Sequence, residues 1–357
     1  MATLEEVEQE FSEELNAESQ AWLEGMQRLL AKKYRHDNHS YQQRPLRPAE
    51  KRVNFAAIKK ILDEDAVVFD LRLREIIKQT RDSLLRLINE QGNSLSAEFV
   101  RSLRIDTGPQ FATETEQYLM GVWRKNRDLA VDELPYTVRE SVGVSMIRRY
   151  HESVGSYFKA AGTSLHGYQS AFDPDKIANY FLNRSNYVKG IVDMELWKQT
   201  STQLWEHLKG GRTLIETMGI LRNLFEPWVG DPTKLVPSGV TGTAEDILQA
   251  YRLETIVRVE TLTALSQARS AVAEAAGEYV IGMEHSSILD FRTTDLCALA
   301  DGIKIKKDDP LLVKLTPPLH WNCRSLHVYV TADDVPVEWT SQAKLDSLVR
   351  QVPAGFK

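Results

Sequence analysis

The chain has 357 residues, 42% hydrophobic and 26% charged, with a formal net charge of −6. That length supplies two or three domains with real cores, and the composition is that of a soluble globular protein. The acidic balance excludes a generally basic nucleic-acid binder, and without an apolar run of about 18 residues no membrane-spanning helix is expected.

Residues 1–27 contain eight glutamates and no lysine or arginine. They pattern as an amphipathic helix with Phe11, Leu15, Trp22 and Leu29 near one face. The opening lacks a basic n-region and an apolar h-region, so no secretory signal is expected there. Residues 28–60 invert the charge, with ten basic side chains against Asp37 and Glu50. Pro45 and Pro48 break this stretch, which reads as an exposed linker. It has two readings: a solvated segment that neutralises the acidic one, or a basic arm with Tyr34 and Tyr41 interleaved, suited to nucleic acid or an acidic partner surface.

From Phe55 to Asn89 the helical period is sustained too long for one ordinary helix, which predicts a hairpin or an extended helix. Gly92-Asn93 ends it, and Asp106-Thr107-Gly108-Pro109 marks another break. Helices are predicted at 113–130 and 137–159, then a loop at 161–172. Asp173-Pro174 opens a helix over 174–208, and another covers 213–226. Trp197, Trp205 and Trp228 are assigned to the core, and 229–243 to a loop.

The best-defined helix runs from Ala244 to about Ala276. Leu253, Val257, Glu260, Ala264, Ala268, Ala271 and Ala275 fall on one stripe at spacings of three and four. Arg258 points about 200° away from Glu260 and cannot pair with it. A buried Glu260 therefore needs a partner from elsewhere, and Arg292 and Arg324 are the candidates.

After Gly277 the period changes. Strands are predicted at Tyr279–Met283, Ile303–Ile305 and Ser325–Val330, the last with Leu326, Val328 and Val330 alternating. Asp301-Gly302 is the turn before the second strand. The fold class is α+β: a mainly helical N-terminal two-thirds, then a long helix and a small antiparallel-sheet module.

Both cysteines fall in this last module, Cys297 after Asp290-Phe291-Arg292-Thr293-Thr294 and Cys323 within Pro317-Pro318-Leu319-His320-Trp321-Asn322-Cys323-Arg324-Ser325. Two thiols and an imidazole are zinc ligand types, so Cys297, His320 and Cys323 form a candidate metal set, with Asp290, His285, His327 or water as fourth ligand. Other readings stay open: a disulfide, or buried thiols braced by His320. A catalytic reading takes either cysteine as nucleophile, His320 as base and Asp290 as orienter. Asn322 is expected to turn the backbone, and Asp290 with Arg292 or Arg324 to tie the loop down through a bidentate bond. Two cysteines in so long a chain fit a reducing cytoplasm without dependence on disulfides.

The order of these elements, Asp290-x-Arg292-Thr293-Thr294 through Cys297 to Asp301-Gly302 and then Pro317-Pro318-x-His320-x-Asn322-Cys323-Arg324-Ser325, resembles the phage Mu F-like head-morphogenesis family. Arg258-Val259-Glu260-Thr261 on the long helix resembles that family's lead-in. The departures are Val259, where the family usually has a small polar residue, and Trp321, where it often has proline. The resemblance covers roughly residues 175–330.

It implies a minor head protein of a tailed bacteriophage, not an enzyme, associated with the portal inside the procapsid and acting in head assembly and in DNA packaging or ejection. The implied partners are the portal protein and a scaffold or major capsid protein; packaged DNA through residues 28–60 is the expectation from the charge of the basic arm, and no membrane partner is expected. The implied location is the head interior of the virion, after assembly in the host cytoplasm. Four segments follow: an acidic segment and partly disordered basic arm at 1–60, a helical domain at 61–172, the Mu F-like domain at 173–335 and a C-terminal tail at 336–357. The competing expectation is an enzyme, a cysteine/histidine- or zinc-dependent hydrolase or toxin-like effector carried by the phage. The 27 residues after Val330 are too few for an added effector domain, which favours the structural role.

Overall fold

A computed structural model describes residues 45–92, 95–139, 142, 174–229, 244–289, 293–320 and 323–353. The acidic segment at 1–27, the basic residues before Pro45, nearly all of the helix expected at 137–159, and the loops at 161–172 and 230–243 lie outside them. So do Asp290, Arg292 and Asn322. The described chain is α+β, mainly helical with one three-stranded antiparallel sheet. It divides into two compact units: a helical one from residues 54–229 and 249–276, and a mixed one that includes 45–53 and 277–353.

The helical unit opens with α1 (Phe55–Lys60), whose N-cap Asn54 side chain accepts a hydrogen bond from the Ala57 amide. A π-helical turn at Ile61–Asp65 joins it to α2 (Ala66–Gln91), so the long periodic stretch is an extended helix. Gly92, at φ +51°, ends it in a conformation that disfavours side chains. Ser96 caps the short α3 (Ala97–Ser102) by accepting from the Phe99 amide. Proline stands at the first position of α4 (Pro109–Asp132), where its missing N–H costs nothing. Three helices follow, α5 (Pro174–Glu206), α6 (Leu214–Val229) and α7 (Ala244–Ala275).

Packing follows the apolar faces. α2 lies against α4 and α6, and α5 against α3, α4 and α6. Phe69, Leu73, Ile77 and Ile88 of α2, Phe111 and Leu119 of α4, and Phe181 and Leu196 of α5 are buried. Trp205 and Trp228 join this core as expected. Trp197 is half-buried and donates its indole N–H to the Leu103 carbonyl at 2.9 Å.

α7 departs from the expected stripe. Leu253, Val257, Glu260, Ala264 and Ala268 are buried, but so are Ile256, Val259, Leu262, Leu265 and Val272, so the helix is covered on most sides. Its polar groups are paired across the unit. Arg269 and Glu133, 1% and 3% exposed, form a bidentate pair at 2.7 and 2.5 Å. The buried Asn126 amide donates to the Leu265 carbonyl at 2.7 Å.

In the mixed unit β1 (Val280–Ser286) is the central strand, with β2 (Lys304–Lys306) on one side and β3 (Leu326–Thr331) on the other, both antiparallel. Gly282 of β1 is obligatory for packing, because a Cβ there would stand 2.4 Å from the Ile305 carbonyl oxygen and 2.6 Å from the Trp339 ring. Three helices complete the unit: α8 (Asp295–Ala300), α9 (Leu312–Leu315) and α10 (Gln342–Val349). Leu296, Ala300, Ile303, Ile305, Leu315, Leu319, Leu345 and Leu348 form one core cluster. Residues expected as a C-terminal tail thus supply a helix with two core leucines.

β3 is buried at every position, where the sequence predicts alternation. Part of the reason is the turn at Ala49–Arg52, which packs on this strand. There the Arg52 guanidinium donates to the Tyr329 carbonyl at 2.8 Å and pairs with Asp334 at 2.7 Å. This corrects the expectation of an exposed linker: Ala49, Glu50 and Val53 are buried, while Lys51, Lys59 and Lys60 remain exposed.

Candidate functional site

The cysteines and His320 converge. Cys297 sits in the first turn of α8, whose N-cap Thr294 hydroxyl accepts from the Cys297 amide. His320 and Cys323 come from the segment between α9 and β3, which passes through a cis Pro317–Pro318 bond. Cys297 Sγ lies 2.9 Å from His320 Nε2 and 3.7 Å from Cys323 Sγ. All three ligand atoms are within 4.8 Å of one another, and all three residues are buried. The cysteines are unbonded thiols.

Hydroxyl groups surround the cluster. Thr294 Oγ1 is 2.9 Å from His320 Nε2. Ser287 donates to the Cys297 carbonyl at 2.8 Å and shares a 2.9 Å hydrogen bond with Ser325. The two sulfurs divide their proton unequally. The hydrogen bond to Cys323, together with burial, pushes the Cys297 thiol up. Burial opposes a charge on Cys323 as well, but the bond from Cys297 and the neighbouring His320 hold it well below the usual thiol range. The pair therefore favours one thiol and one thiolate beside an imidazole.

Of the fourth-ligand candidates, His285 lies on β1 outside this close group. It is fully buried, neither ring nitrogen has a hydrogen-bond partner among the described residues, and burial lowers its pKa to about 4. His327 stacks edge-on against it at 5.5 Å. Asp290, expected as ligand or orienter and as the partner of Arg292 or Arg324, lies outside the described residues, as does Arg292.

Asp301-Gly302 does more than turn the chain. Asp301 accepts two hydrogen bonds from Arg47, at 2.8 and 3.1 Å, and one from the Ser287 amide at 2.9 Å. The same guanidinium pairs with Glu50 at 2.8 Å and with Glu284, and donates to the His285 carbonyl at 2.9 Å. Glu50 also accepts from Ser286 at 2.7 Å. Gly302, at φ +77°, donates its amide to the His285 carbonyl at 2.8 Å. A Cβ there would come within 2.8 Å of Arg47 Nη1. The motif turn is thus shaped around an arginine from the start of the chain. Nothing local in the sequence could have revealed it, because the two residues lie 254 positions apart.

The Arg258-Val259-Glu260-Thr261 motif acts within the helical unit. Glu260 is buried and held by Arg184 of α5 in a bidentate pair at 2.6 and 2.7 Å. This replaces Arg292 and Arg324 as the expected partners: α5 packs in the same unit as α7 and brings a guanidinium to the carboxylate. Arg258 pairs instead with Glu254 at 2.8 Å, one helical turn away. The Thr261 hydroxyl lies 3.0 Å from the Tyr118 hydroxyl.

Fold and site together define a helical body followed by a small sheet module with a buried thiol–imidazole cluster. Residues 203–328 match the family model described as Phage Mu protein F like protein, which supports the resemblance read from the motifs. The match takes in α7, β1, β2, the first half of β3 and the whole cluster, and begins further along the chain than the resemblance, within α5. Neither the curated proteins nor the solved structures yield a match. No described helix is long and apolar enough to cross a membrane.

Proposed function

We propose that the protein is a minor head protein of a tailed bacteriophage, associated with the portal inside the procapsid and acting by binding rather than turnover. The observation that carries this reading is the Mu F-like match over 203–328, which falls on the segment holding both motifs. The physical character of the module agrees with a structural role. Cys297, His320 and Cys323 are 3%, 4% and 4% exposed, so among the described residues a substrate has little approach to a thiolate there. The enzyme reading needs such an approach and is the weaker one.

The DNA-binding part of the role narrows. Arg47 and Arg52 are committed to carboxylates within the mixed unit, which removes them from any phosphate-binding arm. Residues 28–44 carry the remaining density of positive charge, with Lys51, Lys59 and Lys60 as exposed additions. Binding through them would weaken steeply with salt.

The test is to purify procapsids with and without the portal protein and to look for this chain by mass spectrometry. Recovery in few copies from portal-containing particles alone supports the reading. Absence from particles of both kinds, with the chain present in the lysate, would overturn it.

A further inference from the structure

We propose that Cys297, His320 and Cys323 hold one zinc-type ion that staples α8 to the segment leading into β3. The first support is geometric. Zinc–sulfur bonds of about 2.3 Å in a tetrahedron set the sulfurs about 3.8 Å apart, and the Cys297 and Cys323 sulfurs stand at 3.7 Å. For one sulfur and one imidazole nitrogen the corresponding edge is about 3.5 Å. The 2.9 Å between Cys297 Sγ and His320 Nε2 opens to that value by a small ring movement.

The second support is chemical. Two thiolates and an imidazole select a borderline-soft divalent ion over magnesium or calcium. All three donors are buried, and they leave one position of a zinc tetrahedron for a fourth donor. Outer partners also hold the Cys297 backbone, whose amide donates to Thr294 Oγ1 at 3.4 Å and whose carbonyl accepts from Ser287 at 2.8 Å, and such partners orient metal ligands.

The third support is topological. The ligands arrive from two places separated in sequence by β2 and α9, so an ion would close a loop in a small module with a modest core. Binding to the folded form alone would then add directly to its stability. This inference does not depend on the head-protein reading, because it concerns only donor geometry.

The test uses the full chain, purified under reducing conditions without chelator, beside Cys323→Ser and His320→Asn variants. About one zinc per native chain by elemental mass spectrometry is expected, lost from both variants. Cobalt substitution should give the visible bands of tetrahedral coordination and a thiolate charge-transfer band, bleached by Cys323→Ser. If the variants fail to fold, the native protein still decides: chelator should release the ion and make both thiols reactive to a sulfhydryl reagent. A folded native chain without zinc, with no cobalt spectrum and with thiol reactivity indifferent to chelator, overturns the proposal.

Discussion

Arg47 grips Asp301 with two parallel hydrogen bonds across 254 residues of chain, and the same guanidinium pairs with Glu50 and Glu284. Those carboxylates are 9%, 1% and 4% exposed. Buried carboxylates gathered in one place repel each other unless a cation sits among them. Arg47 is that cation, and its planar fork suits it to several acceptors at once.

Replacing Arg47 with methionine should therefore destabilise the mixed unit by about 3 kcal/mol or more, because the carboxylates lose their shared partner. Urea unfolding followed through amide exchange of β1 and β3 would measure it. Removing the chain up to residue 44 should leave those amides protected, whereas removal through residue 53 should expose them. Equal protection in both truncations would refute the clasp.

Gly302 and Gly190 make opposite predictions for the same substitution. At Gly302 alanine must adopt φ +77° and push against Arg47, so a loss of about 1–2 kcal/mol or more is expected. Gly190 is exposed within α5, with open space where a Cβ would stand. Alanine there should raise stability by up to about 1 kcal/mol. Thermal unfolding of the two variants provides the comparison, and a stabilised Gly302→Ala would contradict the close approach described above.

The Arg269–Glu133 pair should behave as a buried ion pair. Glu133→Gln alone leaves a buried guanidinium without its counter-charge and should cost about 3–5 kcal/mol. Replacing both residues with apolar side chains of similar volume should cost far less than the sum of the single changes. A double-mutant cycle by chemical denaturation reads the coupling directly; additive losses would mean that the two charges act independently.

Asp334 gives a pH dependence of definite sign. Burial opposes its charge, but hydrogen bonds from Arg52 and Thr331 prevail and hold its pKa at about 2. A carboxyl lowered on folding contributes stability that is fully present above about pH 4 and lost as the pH falls toward 2. Arg52→Met should therefore lower the urea midpoint at neutral pH, with the gap to wild type closing over that acid range. A gap that stays constant from pH 6 to about pH 2 would show that Arg52 acts through packing alone.

The elements whose cause is local were legible in the residues. The period of 3.6 in α2, the proline at the start of α5, and the change to strands after Gly277 follow from side-chain spacing and caps that act within a few residues. The clustering of Cys297, His320 and Cys323 was legible too, because both cysteines of the chain fall close together in sequence among turn residues. β3 misled because alternation reports a strand with one solvated face, and packing by the Ala49–Arg52 turn removes the solvent.

By itself, then, the sequence determined the helical body, the sheet module, the family resemblance and which side chains could act together as ligands. Only the tertiary structure decided the partners of the charged groups: Arg47 with Asp301, Arg184 with Glu260, Arg269 with Glu133. A helix or strand is selected by interactions between near neighbours, which a residue pattern records. A buried charge is satisfied by whichever opposite charge the fold brings within about 3 Å, and the spacing of residues along the chain carries no trace of that meeting.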